Sequence, residues 1–228
     1  MNKLVLIRHG QSTWNKANKF TGWVDVPLTE QGILEAQQAG QMLKDEGITP
    51  DVLFTSLLRR AIHTSSIVLE TLDRQWIPVQ RTWRLNERHY GELAGLDKQE
   101  TIEKYGEEQV MAWRRSYSLR PPLNPDTVEL RNDPKYMEVA TSDLPRGESL
   151  QDVEARLLPY WKQQVIPEIM SGKTTLIAAH GNSLRALVKG LEGLGDNEVA
   201  ALEIPTGEPG IYYFDDAMNV VDRKILLK

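Results

Sequence analysis

Two short apolar runs, Leu4-Val5-Leu6-Ile7 and Thr174-Thr175-Leu176-Ile177-Ala178-Ala179, each stop abruptly at a His-Gly pair, His9-Gly10 (after Arg8) and His180-Gly181. An uninterrupted run of this kind is the pattern of a strand covered by helices on both faces, as in a parallel sheet. In open sheets of that type, ligands sit outside the carboxyl ends of the strands. The two histidines are therefore expected to share one crevice. A lone histidine at a strand end is ordinarily a satisfied structural residue, whereas two at equivalent ends point to chemistry. Glycine after each lets the backbone approach a ligand closely, and Asn182 and Ser183 offer polar caps at a helix N-terminus, where anions bind well.

The chain between these runs alternates in the same sense. Residues 29–45 carry Ile33, Ala36, Gly40 and Leu43 at helical spacing, with Gly47 as a stop. Residues 51–56 read as a second strand, and residues 57–72 as a helix with Ala61, Ser65, Val68 and Leu72 facing inward. Short extended pieces are expected at 78–81 and 84–87, then helices at 98–105 and 107–115. From 117 to 147 regularity fails among Pro121, Pro122, Pro125, Pro134 and Pro145, and a loop this long is usually functional. Ser149 and Asp152 form a capping-box pattern, opening a helix with Val153, Leu157 and Trp161 on one face and a bend at Pro159. A helix at 184–191 follows the second His-Gly, and segments 211–214 and 219–227 close the chain as a hairpin on the sheet edge. The expected fold is α/β: a mostly parallel central sheet flanked by helices on both faces, the active site at the carboxyl ends of the strands, and a helical and loop insert at about residues 93–147 as a partial lid. Residues 1–228 are read as one domain.

Composition narrows the chemistry. Cysteine is absent, which removes thiolate nucleophiles, disulfides, Cys-ligated zinc and iron–sulfur clusters together. With 27 basic and 32 acidic residues and no basic run able to track a nucleic-acid backbone, nucleic acid is not an expected partner. No apolar stretch reaches the roughly 20 residues of a membrane span, and the N-terminal run is too short for a signal-peptide core. A cytoplasmic enzyme without a membrane partner is expected. The four histidines, His9, His63, His89 and His180, include no pair at the close spacing of the usual metal motifs. Arg60 stands near the start of the 57–72 helix, where the macrodipole disfavours a cation, so something anionic should offset it. Arg59 reads as its solvated neighbour, because Ala61 marks the edge of the buried stripe beside Arg60.

The run Leu4-Val5-Leu6-Ile7-Arg8-His9-Gly10-Gln11-Ser12, with Trp14-Asn15 and Phe20-Thr21-Gly22-Trp23 behind it, resembles the signature of the histidine phosphatase superfamily, and specifically of its cofactor-dependent phosphoglycerate mutases. Thr55-Ser56 through Arg60-Ala61-Ile62-His63-Thr64, Leu85-Asn86-Glu87-Arg88-His89-Tyr90-Gly91, Trp113-Arg114-Arg115 and Ala178-Ala179-His180-Gly181-Asn182-Ser183-Leu184-Arg185 fall in that family's order, so the likeness covers nearly the whole chain. It implies His9 as a nucleophile that becomes a phosphohistidine, with Arg8, Arg60 and His180 clamping the phosphoryl oxygens in place of a metal. It implies Glu87 as general acid and base. Substrate contacts are implied at Asn15, Thr21, Gly22, Tyr90, Lys98, Arg114, Arg115 and Asn182, with Gly10, Gln11, Ser12, Thr13, Trp14, Arg88, His89 and Gly181 as further contacts beside them. His63 and His89 take no catalytic part, and the indoles of Trp14, Trp23 and Trp113 read as packing groups.

The activity implied is interconversion of 3-phosphoglycerate and 2-phosphoglycerate, primed by 2,3-bisphosphoglycerate and needing no metal, in a homodimer or homotetramer. A bisphosphoglycerate synthase or phosphatase would share these residues, and a catalytically silent phospho-ligand-binding module would tolerate loss of Glu87. Position 11 is Gln where many relatives carry Glu, and the chain closes at Lys228 without the tail of longer relatives. Measurable hydrolysis of bisphosphoglycerate is expected on that account.

Overall fold

In the computed structural model, which describes residues 2–227, the chain runs β1 (Asn2–Arg8), α1 (Thr13–Lys16), α2 (Glu30–Asp45), β2 (Val52–Thr55), α3 (Arg59–Thr71), β3 (Val79–Arg81), α4 (Lys98–Tyr105), α5 (Glu107–Arg115), α6 (Val128–Asn132), α7 (Leu150–Tyr160), α8 (Ile166–Met170), β4 (Thr175–Ala179), α9 (Gly181–Glu192), α10 (Asp196–Ala201), β5 (Gly210–Phe214) and β6 (Val220–Ile225). Lys228, where the sequence reading closes the chain, lies outside the described residues. The strands form one sheet in the order β3-β2-β4-β1-β5-β6. Its first four strands are parallel, and the β5–β6 hairpin adds antiparallel to β1 as the expected edge.

Alternation along the buried strands assigns a helix layer to each face. Leu4, Leu6, Phe54, Ile177 and Ala179 pack with Leu157, Trp161, Val165, Leu184 and Leu187 from α7 to α9. Their neighbours Val5, Ile7, Leu53, Leu176 and Ala178 pack with Ala39, Leu43, Val68 and Leu69 from α2 and α3. Both faces of the central strands are thus apolar, which is why their sequences read as unbroken runs. Register fixes the rest. Leu4 pairs with Thr175 and Arg8 with Ala179, so β1 and β4 end level and deliver His9 and His180 side by side.

Local chemistry accounts for the places where the expected boundaries shift. Residues 84–87 are not an extended piece, because Trp83–Leu85 forms a 3₁₀ turn in which Thr82 Oγ1 accepts from Arg84 N at 3.3 Å. The helix opened by Ser149, whose hydroxyl accepts from Asp152 N at 3.2 Å, runs through Pro159 to Tyr160. The irregularity lies just beyond the proline, as a π turn over Trp161–Val165. Helix α9 begins at Gly181, three residues before the expected start, so Asn182 and Ser183 sit inside its first turn and not ahead of it. Between 117 and 147 the chain forms only α6 and two 3₁₀ turns, and is tied to the site's own loop where Glu92 N donates to Pro122 O at 2.9 Å. That crossing needs Gly91, since a Cβ there would lie 2.0 Å from the Pro122 oxygen.

Candidate active site

The level ends of β1 and β4 form the floor of a cavity of about 230 Å³. Its lining carries the cations Arg8, Lys19, Arg60, Lys98, Arg114, Arg115 and Arg185 against two carboxylates, Glu87 and Glu203. Such an excess of positive charge in a confined space calls for an anionic ligand. Among the described residues, no group of three or more His, Cys, Asp or Glu is placed to hold a metal ion.

His9 is buried, and its Nδ1 lies 2.7 Å from the Gly10 carbonyl oxygen. A carbonyl can only accept, so the proton sits on Nδ1 and the Nε2 lone pair is left for chemistry. Arg60 Nε donates to that Nε2 at 3.3 Å. Burial, then the charges of Arg60 and Arg8, hold the His9 pKa well below the ordinary histidine value, so the imidazole is neutral at pH 7. His180 packs edge-on to His9 with ring centroids 5.0 Å apart. It lies just behind the cavity wall, with Nε2 2.7 Å from Ser56 Oγ and Nδ1 buried without a partner among the described residues. Its pKa is pushed well down, by burial first and then by Arg60.

Arg60, and not the outward Arg59, enters the cavity, held by the carbonyls of Gly22 at 2.7 Å and Val24 at 2.9 Å. Burial lowers its pKa to about 10, which keeps it charged at neutral pH. Arg8 donates from Nη1 to Ile204 O at 2.7 Å, while its buried Nε has no partner among the described residues. Glu87 is anchored by one oxygen, its Oε1 accepting from Arg88 N at 2.8 Å and Asn182 N at 3.0 Å. A Cβ on Gly181 would lie 3.4 Å from Arg8 Cζ and 3.7 Å from Glu87 Oε2, so this glycine keeps open the space between acid and clamp.

The loop bearing Glu87 is held from below by an ion pair absent from the sequence reading. Arg156 and Glu148 have side chains only 7% and 5% exposed, with Nε 2.7 Å from Oε1. Arg156 Nη2 donates to the carbonyls of Asn86 and Glu87, each at 3.0 Å, and Glu148 Oε2 accepts from His89 N at 2.8 Å. Trp23 Nε1 donates to the same Glu87 carbonyl at 2.6 Å.

Asn15, Thr21, Gly22, Tyr90, Lys98, Arg114, Arg115, Gly181 and Asn182 line the cavity together with Arg8, His9, Arg60 and Glu87. Gly10, Gln11, Ser12, Thr13, Trp14, Arg88 and His89 do not. Gly10 faces α2 and not a ligand: a Cβ there would be 2.1 Å from Gly32 O. Gln11 is turned toward the same helix, where its Oε1 accepts from Thr29 Oγ1 at 3.0 Å and its N donates to Glu35 Oε2 at 2.8 Å. Ser12 caps α1 by accepting from Asn15 N at 3.1 Å, Thr13 N donates to Pro27 O at 3.0 Å, and Trp14 packs over Gly95. Arg88 lies against the Tyr90 ring, 4.8 Å from its centroid, and donates to Arg114 O. His89 accepts from Gly91 N at 3.0 Å, and burial lowers its pKa to about 4. The reading did not assign Lys19, Phe20, Arg185, Glu203 and Ile204 to the site, and all five line the cavity, Phe20 and Arg185 as buried residues.

Known proteins resemble the chain in sequence and in fold. The sequence profile of the histidine phosphatase superfamily (branch 1) matches residues 4–133 and 125–224. A 2,3-bisphosphoglycerate-dependent phosphoglycerate mutase of Corynebacterium diphtheriae is 56% identical over 222 residues, covering 96% of this chain and 89% of its own. That of Leifsonia xyli subsp. xyli is 54% identical over 221 residues, covering 96% and 88%. A mycobacterial glucosyl-3-phosphoglycerate phosphatase, solved in complex with VO3, superposes with a TM-score of 0.75 at 25% identity over 99% of this chain and 98% of that one. Bacillus stearothermophilus YhfR shares the fold, with a TM-score of 0.73 at 24% identity over 96% and 94%. The chain belongs to branch 1 of the histidine phosphatase superfamily, and within it to the family of 2,3-bisphosphoglycerate-dependent phosphoglycerate mutases.

Proposed function

We propose that this enzyme interconverts 3-phosphoglycerate and 2-phosphoglycerate in the cytoplasm through a phosphohistidine at His9, with residues 1–228 acting as one domain. The observation that carries the reading is a neutral histidine, protonated on Nδ1 and unprotonated on Nε2, on the floor of a cavity rich in guanidinium and ammonium groups. The close relatives named as 2,3-bisphosphoglycerate-dependent mutases support it.

In this reading His9 Nε2 attacks phosphorus in line while the bond from phosphorus to the glycerate oxygen breaks. Glu87 gives its proton to that departing oxygen, which releases a monophosphoglycerate from the bisphosphate, and takes the proton from the free hydroxyl of the monophosphoglycerate that accepts the phosphoryl group from His9, so that the bisphosphate forms again. Arg8 and Arg60 balance the charge on the equatorial oxygens, a task that pre-aligned donors perform without reorganisation. Among the described residues, the buried Arg8 Nε lacks a partner, and it belongs to a guanidinium that lines the cavity, so it is a donor left for a phosphoryl oxygen. The outer cations Lys98, Arg114 and Arg115 meet the carboxylate or the second phosphate of the ligand. These groups fit 2,3-bisphosphoglycerate, which when bound supplies the phosphoryl group that loads His9. No step draws on a metal.

An enolase-coupled assay tests the reading, run with a chelator and with or without added 2,3-bisphosphoglycerate. The wild type should turn over with the primer present and His9→Ala should lose activity by on the order of 10⁴-fold or more. Release of inorganic phosphate from the bisphosphate without enolase-coupled turnover would assign the site to a phosphatase instead.

A further inference from the structure

One carboxylate of the cavity has no part in phosphoryl transfer. Glu203 follows α10 in a segment strapped to the site at both ends: Arg185 Nε donates to Val199 O at 3.2 Å, and Arg8 Nη1 donates to Ile204 O at 2.7 Å. Gly207 N then donates to Arg8 O at 3.0 Å. The strap leaves little freedom in where Glu203 stands. Across the mouth, Arg115 closes α5 of the insert, and its Nη2 is ion-paired with Glu203 Oε1. The pair therefore joins the insert to the strap over the cavity that both residues line. Arg114, beside it, makes no ion pair among the described residues, so the clasp engages one arginine of the two.

The charges explain what such a clasp does. Arg115 Nη2 is engaged by Glu203, so a ligand carboxylate or phosphate that takes this nitrogen must replace Glu203 there. The Glu203 side chain is 68% exposed and that of Arg115 27%, so the pair is well hydrated, and pairs of this kind are weak enough for a ligand anion to replace. An anion held only at the His9 floor leaves the pair closed. A ligand with a second anionic group must open it.

We propose that Glu203 is an internal competitor for Arg115, a carboxylate that occupies the outer anion site until the second charged group of a doubly anionic ligand displaces it. This sets the affinity for 2,3-bisphosphoglycerate separately from the affinity of the floor for a single phosphate. The inference rests on the mutase reading for the identity of the ligand, and on the ion pair for the rest.

Calorimetric titration of wild type, Glu203→Gln, Arg115→Ala and the double variant with 2,3-bisphosphoglycerate and with orthophosphate tests it. Glu203→Gln should bind the bisphosphate roughly two- to fivefold more tightly, the range set by opening a part-exposed ion pair, and orthophosphate unchanged. In the Arg115→Ala background the same substitution should have no effect, as a double-mutant cycle requires of two groups that act through each other. Equal tightening toward orthophosphate, or tightening that survives in Arg115→Ala, would overturn the proposal in favour of a general field effect. Weaker bisphosphate binding by Glu203→Gln would overturn it by making Glu203 a contributor. Should the wild type bind orthophosphate and fail to bind the bisphosphate, the mutase reading itself falls, an outcome that cannot be confused with the others.

Discussion

The floor of the cavity and its mouth differ in how their charges are held. At the floor, His9, His180, Arg60 and Glu87 are all buried and hydrogen-bonded, His9 to Gly10 O and Arg60 Nε, His180 to Ser56, Arg60 to the carbonyl of Gly22 and Glu87 to Asn182 N. At the mouth, Lys98, Arg114 and Arg115 stand on α4 and α5 of the insert, partly exposed, and Arg115 is ion-paired with the solvent-facing Glu203. On the proposed function, the difference matches two tasks. Transfer of a phosphoryl group gains from donors that need no rearrangement, because reorganisation would be charged to the barrier. Recognition of a ligand that enters and leaves at each turnover gains from charges that can exchange one partner for another. A substitution at the floor should therefore act on kcat, and one at the mouth on KM.

The sharpest test of that division is Glu87→Gln. The amide keeps an oxygen to accept from Arg88 N and Asn182 N, so the loop retains its shape while the proton is lost. We expect kcat to fall by roughly 10²- to 10⁴-fold, the usual weight of general acid–base catalysis, with KM nearly constant. A comparable rise in KM would show that Glu87 binds substrate instead of moving its proton.

The next effect falls on stability. Arg156→Met leaves Glu148 as a buried carboxylate without its cation, and it removes the donors to the Asn86 and Glu87 carbonyls. Breaking one side of a buried pair costs about 3–5 kcal/mol, which urea unfolding would measure. Loss below about 1 kcal/mol would mean that the loop does not depend on the pair.

How far the sequence could lead depended on the distance over which each contact forms. The strand runs 4–7 and 174–179 and the His-Gly pairs behind them were readable because burial on both faces leaves an unbroken apolar signature, and β1 and β4 do end level. Arg60 was separable from Arg59 through its place beside the buried stripe, and the structure puts Arg60 inside and Arg59 against Asp25 at the surface. Glu87 had no such signal; its partner Asn182 lies 95 residues away, and only the family resemblance singled it out. Lys19, Arg185 and Glu203 sit on a loop, a helix shoulder and a strap whose packing is non-local, so no periodicity marks them. Gly10 was misread because a missing Cβ signals close approach without saying of what, and here the neighbour is Gly32.

Acidification probes the buried imidazoles of the floor and of the loop behind it. His9, His180 and His89 all have pKa values below the ordinary 6.5, through burial above all, with His89 at about 4. Between those values and about 6.5 the unfolded chain binds more protons than the folded one, so stability present above pH 6.5 is lost as the pH falls toward 4. Each such histidine adds up to about 1.4 kcal/mol per pH unit to that slope. Urea unfolding at pH 7, 6 and 5 should show the decline, and His89→Gln should make it shallower. A flat profile over this range would show that the three imidazoles titrate normally.

The smallest effect belongs to the mouth. Arg114 lines the cavity but forms no ion pair among the described residues; its charge is among those that push the Lys98 pKa down, after burial itself. Removing it should relieve Lys98 while withdrawing one charge-assisted bond from the ligand, and the two effects oppose each other. A hydrogen bond to a charged group is worth about 1.5–3 kcal/mol, so after that partial relief Arg114→Ala should raise KM by roughly tenfold. Because no floor residue depends on its side chain, kcat should hold within about twofold of wild type. A fall in kcat at constant KM would erase the distinction between floor and mouth, since it would place a hydrated rim charge in the transition state.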